Sequence, residues 1–234
     1  MIFVHIGAGA GDLDPSSNYR DGFTEFVKKN LCGEKKIFIV EANPKNIKKL
    51  KECWKDFANV KIFNLAIIPN SYSKNKIKLY YSVDDQPHYQ LLSHNKNFVE
   101  RHFPKSEIKS IEIEAIKIND FLNNNLSNMK IDSFSLDVES LDYEIFMDIN
   151  LEKYSIDNFS IEYFHLNKTQ KKNIIKKFIS NGFSYNGFGI DHNKLDWLFT
   201  KKKSYWNNMI AKTLPYIHRI YYKRLNKVIQ KLKV

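Results

Sequence analysis

The residues best suited to chemistry begin with three glycines, Gly7, Gly9 and Gly11, which follow a short apolar run at the start of the chain. An apolar run that ends in closely spaced glycines predicts a buried strand and then a tight loop whose backbone can approach a ligand. A second apolar run ends in Glu41, directly before Ala42 and a predicted helix. A glycine loop after one strand and an acid after the next are typical of a nucleoside site in a doubly wound sheet, where the acid binds the ribose hydroxyls.

A nicotinamide-dependent oxidoreductase is the first alternative for this pattern. Its fingerprint is Gly-x-Gly-x-x-Gly, with an acid about twenty residues further on. Here the third glycine comes one residue early, and Glu41 follows Gly11 by thirty residues. The spacing therefore disfavours a nicotinamide cofactor.

A second group of chemically competent residues lies at the ends of two later predicted strands. Asp137 and Glu139 end one of them, and His165 ends the next. Residues two apart share a side if the strand continues, and the carboxyl ends of parallel strands face the ligand crevice. These three are candidate general bases for a substrate hydroxyl, and Asp137 is also a candidate cofactor contact. A hydrogen-bonding role at the strand end is an equally good interpretation of His165.

A divalent metal held by Asp137, Glu139 and a histidine is an alternative for the same carboxylates. No ligand spacing in the sequence demands it. We therefore predict no metal site.

Hydrophobic patterns place these residues on seven main-sheet strands that mostly alternate with helices, which favours a parallel α/β sheet. An antiparallel hairpin is predicted as an insertion between the third and fourth strands. The predicted strands are the first six residues, Lys36–Glu41, Val60–Ile67, Lys130–Glu139, Phe159–His165, Phe183–Gly187 and Asp196–Thr200, with the hairpin formed by Ile77–Ser82 and Ile111–Ile118. The predicted helices are Asp21–Asn30, Pro44–Phe57, one that starts at Ile118–Leu122, and Thr169–Ser180.

The segment 83–109, between the two hairpin strands, mixes aromatic, histidine and charged residues with little periodicity. A long segment of this kind is typical of a functional loop, so we interpret it as a substrate lid. Its candidate substrate-binding residues are His88, Tyr89, His94 and Arg101. An ordinary solvated loop is the alternative.

The composition is that of an ordinary globular protein: 234 residues, 43% of them hydrophobic, suffice for one sizeable α/β domain. Two cysteines are too few for a disulfide framework. The sequence shows neither a signal-peptide pattern nor an apolar run of the roughly 20 residues that cross a membrane. These features favour a cytoplasmic protein.

The net charge of +11 is concentrated at the C-terminal end, because seven Lys or Arg and no acid lie from Ser204 onward, which leaves +4 for the first 203 residues. We therefore divide the chain into a domain, 1–203, and a basic tail, 204–234. In the tail Ile217, Tyr221, Leu225 and Val228 recur at helical spacing. A basic amphipathic helix can lie on an anionic membrane surface, here the inner membrane. Docking on the domain or on a partner in a homodimer is the alternative.

The chain resembles the FkbM-type S-adenosylmethionine-dependent methyltransferases. The matching motifs occur in the family's order over roughly residues 3 to 200, and they are Val4–Gly11, Phe38–Pro44, Asn64–Ile67, Ile118–Leu122, Ile131–Glu139 and Ser160–His165. The family usually has an acid at the position of His5, a Lys at Ser135, a Gly at Ser140 and a Glu at Asp142.

The resemblance implies a Rossmann-like, seven-stranded class I methyltransferase sheet with an antiparallel last strand. It also implies S-adenosyl-L-methionine as the cofactor. The cofactor-binding residues would then be His5 at the methionine amino group, Gly7, Gly9 and Gly11 at the methionine part, Glu41 at the ribose, Asn64 and Ala66 at the adenine, and also Ala42 and Asp137.

The expected activity is O-methylation of a sugar hydroxyl in a bacterial surface polysaccharide, such as capsule or lipopolysaccharide, or in its nucleotide-linked precursor. The composition, rich in Lys, Asn and Ile, is typical of an AT-rich bacterial genome. An RNA methyltransferase is one alternative, favoured by the basic tail alone, since no RNA-binding module is recognised and the rest of the chain is near neutral. A non-catalytic S-adenosylmethionine-binding assembly subunit is another, left open by the departures at His5 and Ser140.

Overall fold

The computed structural model describes residues 1–11, 22–29, 34–85, 91–189 and 195–201. The strands formed by these residues are β1 (Ile2–Ile6), β2 (Lys36–Val40), β3 (Val60–Phe63), β4 (Ala66–Ile68), β5 (Lys76–Ser82), β6 (Ile108–Lys117), β7 (Lys130–Leu136), β8 (Ser155–Glu162), β9 (Ser184–Phe188) and β10 (Asp196–Thr200). The helices are α1 (Gly22–Lys29), α2 (Pro44–Cys53), α3 (Lys96–His102), α4 (Ile118–Leu126), α5 (Asp142–Asp148) and α6 (Lys168–Ser180).

The main sheet has seven strands in the order β3-β2-β1-β7-β8-β10-β9. Neighbouring strands from β3 to β8 are parallel, and β10 is antiparallel to both β8 and β9. The predicted Rossmann-like sheet of seven strands with an antiparallel last strand is confirmed. Because β1 lies between β2 and β7, the loops that follow these three strands meet at one edge of the sheet.

Each face of the sheet packs on its own set of helices, because successive side chains of a strand point to opposite faces. Phe3 of β1 belongs to a smaller buried cluster with Phe23 of α1 and Leu50 of α2. Val4 and Ile6 belong to the larger cluster, which includes residues of α4, α5 and α6. Burial on both faces explains why β1 and β2 are almost continuously apolar.

An inserted three-stranded sheet, in the order β4-β6-β5, carries the predicted hairpin. β5 and β6 pair antiparallel, from Lys76 opposite Glu114 to Ser82 opposite Ile108. The prediction of one strand over Val60–Ile67 is wrong. The chain leaves the main sheet after Phe63, and β4 pairs in parallel with the end of β6.

The bounds of two further strands, and two helices, differ from the sequence predictions. β7 stops three residues before the predicted end, and β8 begins four residues earlier than predicted and stops at Glu162. The helix α3 lies inside the predicted lid, where the side chain of Asn95 caps it by accepting a hydrogen bond from the Phe98 N–H. The helix α5 begins at Asp142, within a motif that periodicity alone did not identify as helical.

The predicted amphipathic helix of the tail, 204–234, lies outside the described residues, so its role and the domain division stay predictions. Among the described helices, none combines the length and the hydropathy needed to cross a membrane.

Candidate active site

The glycine loop after β1 is held against the end of β7 at Gly7. Gly7 has a φ of +85°, and a side chain there would overlap the backbone carbonyl oxygen of Asp137. Gly9 also has a positive φ, +57°, but a Cβ there would meet no atom within 4 Å. At Gly11 a Cβ would lie 3.0 Å from the Sγ of Cys53. Gly7 and Gly11 therefore allow close packing, and Gly9 is the glycine whose surroundings leave room for a ligand.

Most N–H groups of the glycine loop donate to the protein itself. The N–H groups of Gly7 and Ala8 donate to the Val40 carbonyl at 2.9 and 3.2 Å, and that of Gly11 to the Ala8 carbonyl at 3.3 Å. The Gly9 N–H donates to the Glu41 carboxylate at 2.6 Å. Within the described part of the loop, these four N–H groups are therefore engaged in hydrogen bonds to the protein.

Glu41 connects the glycine loop to the start of α2. Its second carboxylate oxygen accepts a hydrogen bond from the Asn43 N–H at 2.6 Å, and the residue is only 6% exposed. Burial raises the pKa of Glu41 to about 7, although hydrogen bonds from Asn43 and Gly9 oppose the shift. A carboxylate oxygen can accept more than one hydrogen bond, so ribose hydroxyls can still bind here.

Asn64, Ala42 and Ala66, the other residues expected near the adenosine, differ from one another in burial and in position. Asn64 follows β3, and its Nδ2 donates to the carbonyl oxygens of Glu41 at 2.9 Å and Ala42 at 3.2 Å. Asn64 is exposed and Ala42 half-buried at this edge. Ala66 is buried and begins β4, so it belongs to the inserted sheet and not to the tip of β3 as expected.

His5 lies in the middle of the β1 pairing, opposite Ile39 of β2 and Ser135 of β7. The residue is 6% exposed, and its ring lies against the ring of Phe23, with 4.4 Å between centroids. The His5 side chain thus packs under α1. Its contact with a methionine amino group stays a prediction.

Asp137 and Glu139 do not share a side of a strand, because β7 ends at Leu136. The expectation based on strand alternation is wrong at this point. Glu139 and Ser140 have positive φ values of 52° and 100°, so the chain turns sharply. The turn is held by Asp142, whose carboxylate accepts hydrogen bonds from the Val138 N–H at 2.8 Å and the Ser140 N–H at 3.2 Å.

The turn nevertheless keeps both carboxylates among other acids. Burial raises the pKa of Asp137 well above its ordinary value, and the charges of Glu162 and Glu139 add to the shift. Burial likewise raises the pKa of Glu139, with Glu162 and Asp142 as the next causes. Carboxyl groups with raised pKa values are better proton acceptors than ordinary ones once they are ionised. Both residues therefore keep their candidacy as general bases.

His165 lies in the turn after β8, between two carboxylates. Its Nε2 is 3.2 Å from Asp142 Oδ2, and its Nδ1 is 2.9 Å from Glu162 Oε2. Burial alone would lower the pKa of His165, but its contacts with Asp142 and Glu162 raise it to about 10. An imidazole that is protonated at neutral pH cannot accept a further proton. The arrangement therefore disfavours His165 as the general base.

Part of the predicted lid packs onto this turn. The Ser93 hydroxyl donates to the Glu139 carbonyl at 2.9 Å, and the hydroxyls of Ser93 and Ser140 are 2.6 Å apart. His94 Nδ1 lies 3.0 Å from the Ser140 hydroxyl, and burial lowers the pKa of His94. The ring of Phe98 in α3 lies at 5.9 Å from that of His165. The segment thus covers the acidic side of the site.

Arg101, the other described residue of the predicted lid site, is not brought to the acidic turn. Arg101 is exposed on α3 and lines a cavity of about 770 Å³ with Lys96, Asn97 and Phe103. None of the acids after β7 and β8 lines that cavity. His88 and Tyr89 lie outside the described residues.

Asp142 and Glu162 were not predicted as site residues. Both are buried, Asp142 at 0% and Glu162 at 7% exposure, and both contact His165. A usable signal was the Glu-x-x-His spacing of Glu162 and His165 across the strand end. Asp142 gave no such signal, since an acid at the start of a helix is common for helix-dipole reasons.

Comparison with protein families matches residues 5–185 to the methyltransferase FkbM domain. A comparison with curated proteins gives no match. Among solved structures, a proposed RNA methyltransferase from Pyrococcus horikoshii is 13% identical, with 86% of this chain and 75% of that chain covered and a TM-score of 0.41. Fibrillarin from Aeropyrum pernix, solved with natively bound S-adenosyl-L-methionine, is 12% identical, with 85% of this chain and 64% of that one covered and a TM-score of 0.41. Fibrillarin from Methanococcus jannaschii, a pre-rRNA processing protein, is 12% identical, with 86% and 67% covered and a TM-score of 0.41.

The family match spans most of the chain, from β1 with its glycine loop to β9, and includes both carboxylate-bearing strand ends. The chain therefore belongs to the FkbM domain family of S-adenosylmethionine-dependent methyltransferases, and it is a methyltransferase.

Proposed function

We propose that this methyltransferase transfers the methyl group of S-adenosyl-L-methionine to a hydroxyl oxygen of a sugar unit. The observation that carries the proposal is the position of Asp137. Its backbone carbonyl packs on Gly7 of the glycine loop, and its buried carboxylate stands among the acids that follow β7 and β8. A proton acceptor is thus next to the loop expected to hold the methyl donor.

The reaction needs such an acceptor, because an unactivated sugar hydroxyl is a very weak acid. The hydroxyl oxygen attacks the methyl carbon, the new O–CH₃ bond forms as the S–CH₃ bond breaks, and the sulfonium becomes the neutral thioether of S-adenosylhomocysteine. The hydroxyl proton passes to the carboxylate of Asp137 or Glu139. The protein's main contribution is to align donor and acceptor in line and to supply this base.

On the cofactor side, the residues proposed to contact the donor flank the loop after β1. The methionine part would lie at Gly9, where no protein atom occupies the space beside the Cα. The ribose hydroxyls would hydrogen bond to Glu41, and the adenine would lie near Asn64, which braces the turn after β2. His5 and Ala66 are the weaker members of this set, since His5 packs under α1 and Ala66 begins β4.

The polar, acidic surroundings of the turn after β7 support a sugar as the acceptor. Sugar hydroxyls donate hydrogen bonds that carboxylates accept, and the lid adds the Ser93 hydroxyl and His94 on the same side. A surface polysaccharide or its nucleotide-linked precursor is the setting that we propose for such a sugar, with capsule or lipopolysaccharide assembly as the context. The support for this setting is the composition and the basic tail alone.

The first test is calorimetric titration of the purified chain with S-adenosylmethionine, S-adenosylhomocysteine and NAD in parallel. We expect micromolar binding of the two adenosyl compounds and no binding of NAD. Binding of NAD alone would overturn the proposal at the level of the cofactor.

The second test presents radiolabelled S-adenosylmethionine with nucleotide sugars, with bacterial glycan extracts and with RNA as acceptors. Label in a sugar that resists mild base, as an ether does and an ester does not, supports O-methylation of a hydroxyl. Label in RNA alone would replace the sugar with a nucleic acid acceptor. Cofactor binding without labelling of any acceptor class would favour a non-catalytic assembly subunit.

A further inference from the structure

Three side chains of metal-ligating type converge at the acidic side of the site. They are Asp142 at the start of α5, Glu162 at the end of β8 and His165 in the turn that follows. One ligand atom from each lies within 4.8 Å of the other two. Atoms that coordinate one ion at a little over 2 Å lie at such separations from one another.

The three side chains are in close contact. His165 Nε2 lies 3.2 Å from Asp142 Oδ2 and its Nδ1 lies 2.9 Å from Glu162 Oε2, so the ring lies between the two carboxylates. Neither ring nitrogen forms a hydrogen bond of good geometry with the described residues. Glu162 Oε2 is buried and accepts no hydrogen bond from the described residues. A buried carboxylate oxygen without a donor is costly unless a charge or an ion compensates it.

Two further carboxyl groups belong to the same part of the fold. Asp137 and Glu139 follow the end of β7, and Asp137 Oδ1 is buried without a hydrogen bond from the described part of the chain. The three ligand-type side chains therefore lie in a carboxylate-rich part of the structure.

The three side chains are held in place before any ligand arrives. Asp142 is oriented by the Val138 and Ser140 N–H groups. Glu162 is on a strand that is paired on both sides, opposite Asp196 of β10 and beside β7. The ring of His165 packs edge-on against Phe98. Ligands that are fixed by a surrounding shell of this kind favour a built site over an accidental cluster.

We propose that Asp142, Glu162 and His165 bind a divalent cation of the Mg²⁺ or Mn²⁺ class. Two carboxylates and one imidazole are oxygen-rich and lack thiolate, which suits these ions. Three protein ligands leave coordination positions open for water or for a substrate oxygen. The ion would lie between the two carboxylates, within reach of one ligand atom from each of the three side chains.

The role of the ion rests on the proposed function, whereas the site itself does not. Bound to the acceptor hydroxyl, a divalent cation lowers the pKa of that hydroxyl and orients its oxygen toward the methyl group. Asp137 or Glu139 then takes the proton as the O–CH₃ bond forms and the S–CH₃ bond breaks. A cation that also bridges neighbouring hydroxyls would favour acceptors with vicinal diols, as many sugars have.

The test uses the full chain, stripped with a chelator, and Mn²⁺ as the probe. Loss of the free Mn²⁺ signal in electron paramagnetic resonance reports binding, and we expect saturation at a single ion per chain. Pulsed measurements should detect coupling to an imidazole nitrogen, which His165→Gln should remove. Glu162→Gln should weaken Mn²⁺ binding by at least about tenfold, the loss that even an outer-shell partner can cause.

Glu114→Gln is the matched control, because Glu114 is 64% exposed and pairs only with Lys76 among the described residues at 3.1 Å. It should bind Mn²⁺ as the unaltered chain does. Circular dichroism and binding of S-adenosylhomocysteine show whether each variant is folded. Should Glu162→Gln fail to fold, His165→Gln with its lost nitrogen coupling decides the question.

The outcomes separate the two proposals. Two outcomes overturn the metal site and leave the methyltransferase proposal intact. One is cofactor binding without Mn²⁺ binding, and the other is Mn²⁺ binding that Glu162→Gln and His165→Gln leave unchanged. In either case the three side chains form an ion-pair network. Mn²⁺ binding at this site without binding of either adenosyl compound supports the metal site and overturns the proposed function.

Discussion

The two sides of β1 differ in how their polar groups are satisfied. On the side toward β2, the polar groups form hydrogen bonds within the protein. These groups are the N–H groups of Gly7, Ala8 and Gly9 and both carboxylate oxygens of Glu41. Toward β7 and β8, oxygens of Asp137 and Glu162 are buried with no hydrogen bond from the described residues. The first side has the properties of a preformed binding surface. The second side brings several ionisable side chains together in a buried setting, which is typical of a site where protons or cations are handled.

We therefore expect mutations on the two sides of β1 to affect different properties of the protein. Changes beside β7 and β8 should alter catalysis more than folding or cofactor affinity. Changes on the glycine-loop side should alter folding and cofactor affinity first.

The largest expected effect is on turnover, in Asp137→Asn. Removing a general base typically lowers the rate by about 10²–10⁴-fold. The affinity for S-adenosylmethionine should change far less. The measurement pairs calorimetric titration with methyl transfer to an acceptor found by screening, and turnover equal to that of the unaltered chain would remove Asp137 from the catalytic residues.

Next in size is the effect of Gly7→Ala on stability. The new Cβ overlaps the Asp137 carbonyl oxygen in a backbone with a φ of +85°. Strain and overlap each cost about 1–3 kcal/mol, so the free energy of unfolding should fall by roughly 3 kcal/mol or more. Gly9→Ala is the matched control, with a φ of +57° and no atom near the new Cβ, and should cost only about 1–2 kcal/mol. Equal losses in urea unfolding would mean that Gly7 is not packed against β7.

A smaller effect is expected on cofactor affinity in Glu41→Ala. Loss of charge-assisted hydrogen bonds to the ribose should weaken binding of S-adenosylhomocysteine by about 1–3 kcal/mol. Calorimetric titration of the variant measures this directly. An unchanged dissociation constant would exclude Glu41 from the ribose site and leave it only the bracing of the glycine loop.

The smallest effect is a pH dependence of the same affinity. With a pKa of about 7, Glu41 is largely protonated at pH 6, and a protonated carboxyl is a poorer acceptor for ribose hydroxyls. Affinity for S-adenosylhomocysteine should therefore fall by about tenfold between pH 8 and pH 6. Glu41→Gln, which cannot titrate, should give a flat profile, and an equal slope in both proteins would assign the dependence to another group.

The stability of the ligand-free protein should depend on pH in the opposite direction, and should fall as the pH rises. Because folding raises the pKa of Glu41 from 4.5 to about 7, the stabilising effect of its protonated form is complete below about pH 4.5 and is lost as the pH rises through 7. Glu41→Gln should remove this component from the pH profile of urea unfolding.

Much of the fold was determined by the sequence alone. The apolar runs predicted seven main-sheet strands, and the glycines after β1 and the acid after β2 were predicted to lie together at one edge of the sheet, as the hydrogen bond from the Gly9 N–H to Glu41 confirms. Strands of a parallel sheet are buried on both faces, so they appear in the sequence as continuous apolar runs. A tight loop with positive φ values favours glycine, so closely spaced glycines indicate such a loop. The hairpin of β5 and β6 was predictable for the same reason, from its strand periodicity.

Only the tertiary structure decided the rest. Between β3 and β4, Asn64 hydrogen bonds to the turn after β2, and β4 then pairs with β6, so both contacts connect segments more than twenty residues apart. The acids at Asp142 and Glu162 became site residues only when the turn after β7 and the end of β8 placed both against His165. Local sequence reports which side chains can ionise, but their pKa values and their capacity to hold an ion depend on burial and on neighbours that only the folded chain brings together.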